Sequence, residues 1–223
     1  MNIILLGAPG SGKGTQAKRL SALFGLRHLS TGDLIRAEIS EATPLGLEIQ
    51  EIVERGDLPS DSVAISLIEK DLSQNGQGVI FDGFPRTLSQ AEALNKLVDM
   101  GTLDRPLVVK IEVEETLLVE RLAGRWMCGD CGAIYSTTHL PQQKGRCDVC
   151  GSHSFVTRKD DEVTAIHHRL KVYHEKTEPV QGYYEAQGCL MTVNGVLSPL
   201  EVEGQLVELL KQEEKKASLS QTS

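Results

Sequence analysis

Aromatic residues are scarce in this 223-residue chain: Phe, Tyr and Trp make up 4% of it, with a single tryptophan. That leaves no stripe of stacking rings of the kind that grips single-stranded nucleic acid. An excess of positive charge is missing too. The formal net charge is −8, opposite in sign to a general nucleic-acid or anionic-membrane binder. No apolar run approaches the ~20 residues that span a bilayer. The first seven residues carry neither a basic leader nor an apolar stretch long enough for a signal peptide. The expected setting is the cytoplasm, with no membrane and no nucleic-acid partner. There is no internal repeat. Five cysteines in a chain this long exclude a mini-protein held by disulfides alone.

What is present resembles an ordinary soluble domain. Hydrophobic residues are 40% and charged residues 24%, enough apolar material for a core. At roughly 100–200 residues per domain, the length predicts one large domain with room for a small insert. Compact apolar runs at residues 2–6, 79–81, 106–113 and 190–193 read as buried strands. Helical spacing predicts helices over 13–25, 43–55, 60–74, 88–100, 114–124 and 199–216, and Ser30-Thr31-Gly32-Asp33 reads as a capping box before a helix bearing Arg36. Strands alternating with helices imply an α/β fold with a parallel sheet covered on both faces. The alternation stops between about 124 and 159, a Gly-, Cys-, Thr- and Pro-containing stretch that reads as an inserted module. The last residues, polar throughout, read as a frayed tail.

The chemistry begins at Gly7-Ala8-Pro9-Gly10-Ser11-Gly12-Lys13-Gly14-Thr15, which follows the first strand and opens the first helix. It is close to the Walker A pattern, in which glycines let backbone N–H groups converge on phosphate and lysine adds a cation. Gly14 stands where Ser or Thr usually follows the lysine, and Thr15 comes one place later. Asp82 ends a buried strand, the place from which a carboxylate holds magnesium through water. Arg86, four residues on, is suited to a second phosphate. Arg121 and Arg125 are four apart on a predicted helix, and Arg158 and Arg169 flank the far border of the insert. The acids Asp160, Asp161 and Glu162 between them suit a helix's first turn.

Inside the insert, Cys128, Cys131, Cys147 and Cys150 form two C-x2-C pairs, the spacing of a closed, structural zinc site. His139 and His153 lie nearby as weaker alternative ligands. Five basic and two acidic residues give residues 124–159 a charge of +3, a basic flap on an acidic body. Cys189 stands alone before an apolar strand and reads as a core residue. Trp126 and Tyr135 read as packing for the module, with either able to touch a base. His167 and His168, adjacent in sequence, read as surface.

Taken together, these residues resemble adenylate kinase over nearly the whole chain. The segments are GAPGSGKGT at 7–15, STGDLIR at 30–36, FDGFPRT at 81–87, ERLAGR at 120–125, TRKDD at 157–161 and HHRLKVYH at 167–174. The insert is similar to the long lid of the family's zinc-bearing bacterial members. The resemblance implies a P-loop NTPase-type three-layer sandwich with a helical AMP-binding arm and a small zinc-ribbon-like lid. Its implied division is a core of 1–29, 60–123 and 162–216, an arm of 30–59, a lid of 124–161 and a disordered tail at 217–223. It implies magnesium-dependent ATP + AMP ⇌ 2 ADP, a role in adenine nucleotide balance, and a monomer.

By the same resemblance, ATP falls to Gly10, Ser11, Gly12, Lys13, Gly14, Thr15, Arg121, Arg125, Ile134, Tyr135 and Leu197. AMP falls to Thr31, Arg36, Asp57, Leu58, Pro59, Gly83, Phe84, Pro85, Arg86, Gln90, Arg158 and Arg169. Catalysis is expected of Lys13, Arg86, Arg125, Arg158 and Arg169. Three positions depart from the family: Pro59 replaces an aliphatic valine, Leu197 a common lysine, and the histidine pair a more basic stretch. Rival readings are a nucleoside-monophosphate kinase with another donor or acceptor, and a zinc-ribbon ATPase acting on nucleic acid.

Overall fold

The structure, a computed structural model, describes residues 1–73, 78–137 and 139–220. Its central sheet has five parallel strands in the order β2-β3-β1-β4-β8. These are β1 (Ile3–Leu6), β2 (Arg27–Ser30), β3 (Val79–Asp82), β4 (Leu107–Glu112) and β8 (Leu190–Asn194). Side chains alternate across the sheet. Ile4, Leu6 and Phe81 therefore enter one core, with Ala91 and Leu94 of α5 (Leu88–Asp99) and Tyr184 of α8 (Glu178–Ala186). Ile3, Leu5 and Ile80 enter the other, with Leu20 of α1 (Lys13–Phe24) and Leu206 of α9 (Pro199–Ser220). Two helical layers enclosing one sheet follow from that alternation.

The strand β2 is absent from the sequence reading. Arg27-His28-Leu29-Ser30 has no apolar run; its extended form comes from pairing with β3, Leu29 opposite Phe81 and Ser30 opposite Asp82. The helical arm consists of α2 (Thr31–Ser40) and α3 (Pro44–Glu54), packed through Ile35 and Ile49 on Leu67 of α4 (Asp61–Leu72). Ser30 caps α2, its hydroxyl accepting from the Asp33 N–H, and Thr43 and Ser60 cap α3 and α4 in the same way. The expected end of the 60–74 helix, Gln74, lies outside the described residues.

Between α6 (Glu115–Ala123) and α7 (Val163–Val172) sits a separate antiparallel sheet of β5 (Trp126–Cys128), β6 (Ile134–Tyr135) and β7 (Phe155–Val156), ordered β6-β5-β7. Two expectations change here. The helix α6 ends at Ala123, so Arg125 lies past it and shares no helix face with Arg121; Gly124, a poor helix former, is its C-cap. Asp160 and Asp161 lie in a short 3-10 turn (Lys159–Asp161) ahead of α7 and not in its first turn, because their carboxylates are taken by arginines. A π-helical stretch (Tyr173–Thr177) joins α7 to α8. The helix α9 continues to Ser220, beyond the expected start of the tail at 217; residues 221–223 lie outside the described ones. Among the described residues no helix is long and apolar enough to cross a membrane.

Candidate active site

The order of strands places β1 between β3 and β4, so the connections leave β1 and its neighbours in opposite directions and open a crevice at the carboxyl ends. The loop from Gly7 to Gly12 fills that crevice. Gly12 is the N-cap of α1 with φ of 99°, a left-handed backbone that a side chain rarely adopts. That turn leads directly into the N-terminus of α1, where phosphate is favoured. Lys13, first residue of α1, donates through Nζ to the carbonyls of Gly7 at 2.7 Å and Ala8 at 2.9 Å.

Asp82 ends β3 beside it. Burial pushes its carboxyl upward, but a hydrogen bond with His28 Nε2 (3.1 Å) and the Lys13 charge together hold it below its ordinary value. Desolvation brings Lys13 down to about 7; Asp82 opposes this, and Arg86, Arg169 and Arg125 add to it. His28 was missed in the sequence because β2 was missed. The strand register is what brings it to Asp82.

The cavity measures about 700 Å³. It is lined by Gly10 to Thr15, Arg121, Arg125, Leu197, and Ile134 and Tyr135 of the lid. The same cavity is lined by Thr31, Arg36, Asp57, Leu58, Pro59, Gly83, Pro85, Arg86 and Gln90. Arg158 and Arg169 line it as well. Phe84 does not. Its side chain is 2% exposed and packs into the core against Phe81, so within the 83–86 turn the flanking residues face the cavity and Phe84 anchors them.

Several of these groups are oriented by the protein itself. Thr31 Oγ1 donates to the Gly83 carbonyl at 2.7 Å, and Arg86 Nε to the same carbonyl at 2.8 Å. Gln90 accepts from the Arg86 N–H (2.8 Å) and donates to Asp61 (2.8 Å). Arg36 pairs with Asp33 at 2.5 Å. Arg121 donates to the Gly195 carbonyl at 2.9 Å, tying α6 to the loop that carries Leu197.

Asp160 and Asp161 are site residues whose role the sequence did not reveal. Asp161, 5% exposed, accepts from Arg125 Nε (2.7 Å) and Nη2 (2.5 Å), and from Arg169 Nη1 (2.9 Å). Asp160 pairs with Arg169 at 3.0 Å. The TRKDD segment placed the acids near the arginines in sequence, but only folding shows which charges meet. Desolvation and neighbouring arginines bring Arg86 and Arg158 down to about 10. Mutual repulsion among cations around an open space is the signature of a polyanion site. An ionised carboxylate at the mouth of the phosphate loop also fits a hydrated magnesium ion.

The lid lies over this cavity. Lys18 on α1 donates to the Gly132 carbonyl at 2.9 Å, and Ile134 reaches over Gly14. Behind Ile134 the four sulfurs of Cys128, Cys131, Cys147 and Cys150 lie within 4.8 Å of one another. The pairs Cys128–Cys150 and Cys131–Cys147 are 3.6 and 3.5 Å apart. A zinc tetrahedron with bonds of ~2.3 Å has sulfur–sulfur edges of about 3.8 Å, so the cluster fits that ion. The Tyr135 hydroxyl donates to Cys147 (3.4 Å), and together with backbone amides this brings that thiol down to about 6. His153 turns away to the Gly145 carbonyl, and His139 stacks on Tyr135. Tyr135 therefore packs the module as expected: it is 3% exposed, its ring meets His139 and Phe155, and its hydroxyl supports the cysteine cluster.

The sequence model of adenylate kinase matches residues 5–189. The chain belongs to the adenylate kinase family. A protein named adenylate kinase from Paracoccus denitrificans (strain Pd 1222) is 44% identical over 213 residues, 94% of this chain and 97% of its own length. One of the same name from Zymomonas mobilis subsp. mobilis is 44% identical over 215 residues, covering 95% and 96%. Another from Methanosarcina mazei is 44% identical over 200 residues, covering 87% and 91%. As an adenylate kinase the chain is a nucleoside-monophosphate kinase, catalysing ATP + AMP ⇌ 2 ADP.

Proposed function

We propose that the phosphate-loop end of the cavity holds ATP, that the end bounded by the α2–α3 arm holds AMP, and that the phosphoryl group passes between them under five cations. The observation that supports this most is the convergence of Lys13, Arg86, Arg125, Arg158 and Arg169 on one cavity that the phosphate loop, the α2–α3 arm and the lid all line. On this reading the core is 1–29, 60–123 and 162–216, the AMP arm 30–59 and the lid 124–161. The enzyme acts as a cytoplasmic monomer.

The acceptor, a phosphate oxygen of AMP, is anionic at neutral pH, so no strong base is needed. It attacks the γ-phosphorus; the new P–O bond forms as the bond to the β–γ bridging oxygen breaks, leaving two ADP. Catalysis is then alignment and charge stabilisation. Lys13 and the loop amides hold the β- and γ-phosphates, and Arg86 and Arg36 hold the AMP phosphate. Arg125, Arg158 and Arg169 surround the group in flight. Magnesium arrives with ATP, neutralises phosphate charge when bound, and would be held through water by Asp82. Leu197, Ile134 and the backbone at Tyr135 face the donor base, and Leu58 and Pro59 the acceptor base. The lid excludes water, which would otherwise accept the phosphoryl group. Zinc held by Cys128, Cys131, Cys147 and Cys150 is structural.

Paired-nucleotide kinetics test this reading: ATP or GTP as donor against AMP, CMP or UMP as acceptor, with ADP formation measured. ATP with AMP is expected to be the most efficient pair, with Arg169→Ala slowing it by about 10²–10³-fold. An Arg169→Ala protein that folds and turns over like wild type refutes the assignment.

A further inference from the structure

The arm rejoins the core through Gly56, Asp57, Leu58 and Pro59, all of which line the cavity. This exit is fastened to α7 at two successive points. Gly56 has φ of 89°, and a Cβ there would lie 2.6 Å from the Arg169 Cγ and 3.2 Å from the Ala165 carbonyl oxygen. Its backbone is therefore pressed onto α7 and against the stem of a phosphate-facing arginine. One residue on, the Asp57 carboxylate meets His168 Nε2 at 2.7 Å. That hydrogen bond is the main reason the Asp57 carboxyl lies below its ordinary value. Arg55 touches the other Asp57 oxygen only at 3.7 Å and is 63% exposed, so it steers the carboxylate weakly.

His168 belongs to the pair that reads as surface, and it faces Asp57 and not the cavity. Its placement beside Arg169 matters because the same turn of α7 then holds both the exit of the arm and the arginine. We propose that His168 is a positioning residue for the acceptor nucleotide. Acting through Asp57, it keeps residues 56–59 seated on α7, so that Leu58 and Pro59 stay at a set spacing from Arg169. This rests on the reading of residues 57–59 as the wall of the AMP pocket.

The test is steady-state kinetics of the full-length, zinc-loaded protein, varying AMP and ATP separately, with melting temperatures recorded for each variant. His168→Ala is expected to raise KM for AMP about 3- to 10-fold, the scale of one partly exposed charge-assisted hydrogen bond, while KM for ATP stays at the wild-type value. His168→Gln, which keeps a side-chain N–H at similar reach, is expected to restore most of the loss. Asp57→Ala should match His168→Ala, and the double variant should be no worse than either single one, since both remove the same bond. Equal changes in both KM values, no change in either, or failure of glutamine to rescue overturns the proposal. Thr31→Ala and Pro59→Ala report on the underlying reading. If they leave KM for AMP untouched, the pocket is elsewhere and the proposal falls with it. If they raise it while His168→Ala does not, only the role of His168 is wrong.

Discussion

At the scale of single residues, Lys13 shows how a phosphate site is built against its own stability. In the unfolded chain its amine titrates near the ordinary lysine value of about 10.4; in the folded protein it is held at about 7, chiefly by desolvation, with Asp82 opposing and Arg86, Arg169 and Arg125 adding to the shift. Between those values the unfolded state binds more protons than the folded one, so stability rises with pH across about 7 to 10. Lys13→Met removes the awkward charge. It is expected to melt higher than wild type at pH 7, by about 2–4 °C per kcal/mol recovered, while losing about 10²–10³-fold in kcat. Calorimetric melting and a coupled ADP assay on the same preparation check both signs. Polyphosphate reverses the environment, so ATP binding above pH 7 is accompanied by proton uptake. Titration calorimetry in two buffers of different ionisation heat measures that uptake directly.

Phe84 makes the complementary point. Its neighbours Gly83, Pro85 and Arg86 face the cavity, while its own ring is among the core side chains. Phe84→Ala is expected to cost about 3–5 kcal/mol of stability, measured by urea unfolding. A loss of AMP affinity without that destabilisation would place the ring in the pocket after all.

Among the elements, the lid depends most on something other than its own packing. Its strands are only two or three residues long, too short to stand alone, and its cluster buries Cys128 and Cys147 with Tyr135 and little else. A metal bound to four thiolates supplies what this core lacks. Removing zinc with a chelator is expected to lower the melting temperature and to make residues 124–161 the first site of protease cleavage. Metal analysis, mass spectrometry and melting on one sample check this, and an unchanged melting point would show that the cysteines hold nothing structural. The elements also mark where sequence reading stopped. Helices with caps such as Ser60 and Thr43 were legible within a residue or two, because capping and apolar spacing are local. The strand β2 was not legible, because its four residues are extended only by virtue of β3 beside them. The end of α6 was legible, 114–124 expected against Glu115–Ala123 observed; the four-residue spacing of Arg121 and Arg125 misled because Gly124 stops the helix before the second arginine.

For the whole molecule, the decisive feature is that cations from the core, the lid border and α7 meet around one space. Asp161 answers Arg125 and Arg169 from the lid side, and it is 5% exposed. Breaking such a buried pair from one partner leaves the other charges unmatched. Asp161→Asn is therefore expected to loosen the empty lid and raise its cleavage rate by protease, with much of the protection regained when ATP and AMP are present to supply phosphate charge. Limited proteolysis with and without nucleotides reads this out; equal protection of variant and wild-type proteins in the empty state would show that Asp161 does not hold the lid. On the proposed function, substrate phosphates compete with these carboxylates for the same guanidinium groups.

The residue pattern by itself determined the phosphate loop, the four-thiolate knuckles, the alternation of strands and helices, and the arginines flanking the insert. Each of these is written in spacing over a few residues: a glycine turn, a C-x2-C step, a period of 2 or 3.6. Only the tertiary structure decided that His28 meets Asp82, that Asp161 joins Arg125 to Arg169, that Phe84 turns inward and that His168 holds Asp57. The pairings of His28 with Asp82, Arg125 with Asp161 and Asp57 with His168 span 54, 36 and 111 residues of chain. Around Asp82 and Asp161 packed elements bring charges together in a desolvated cleft, where an unmatched charge is costly and a partner must be found; Asp57 and His168 meet at a partly exposed seam that only packing of the arm on α7 creates.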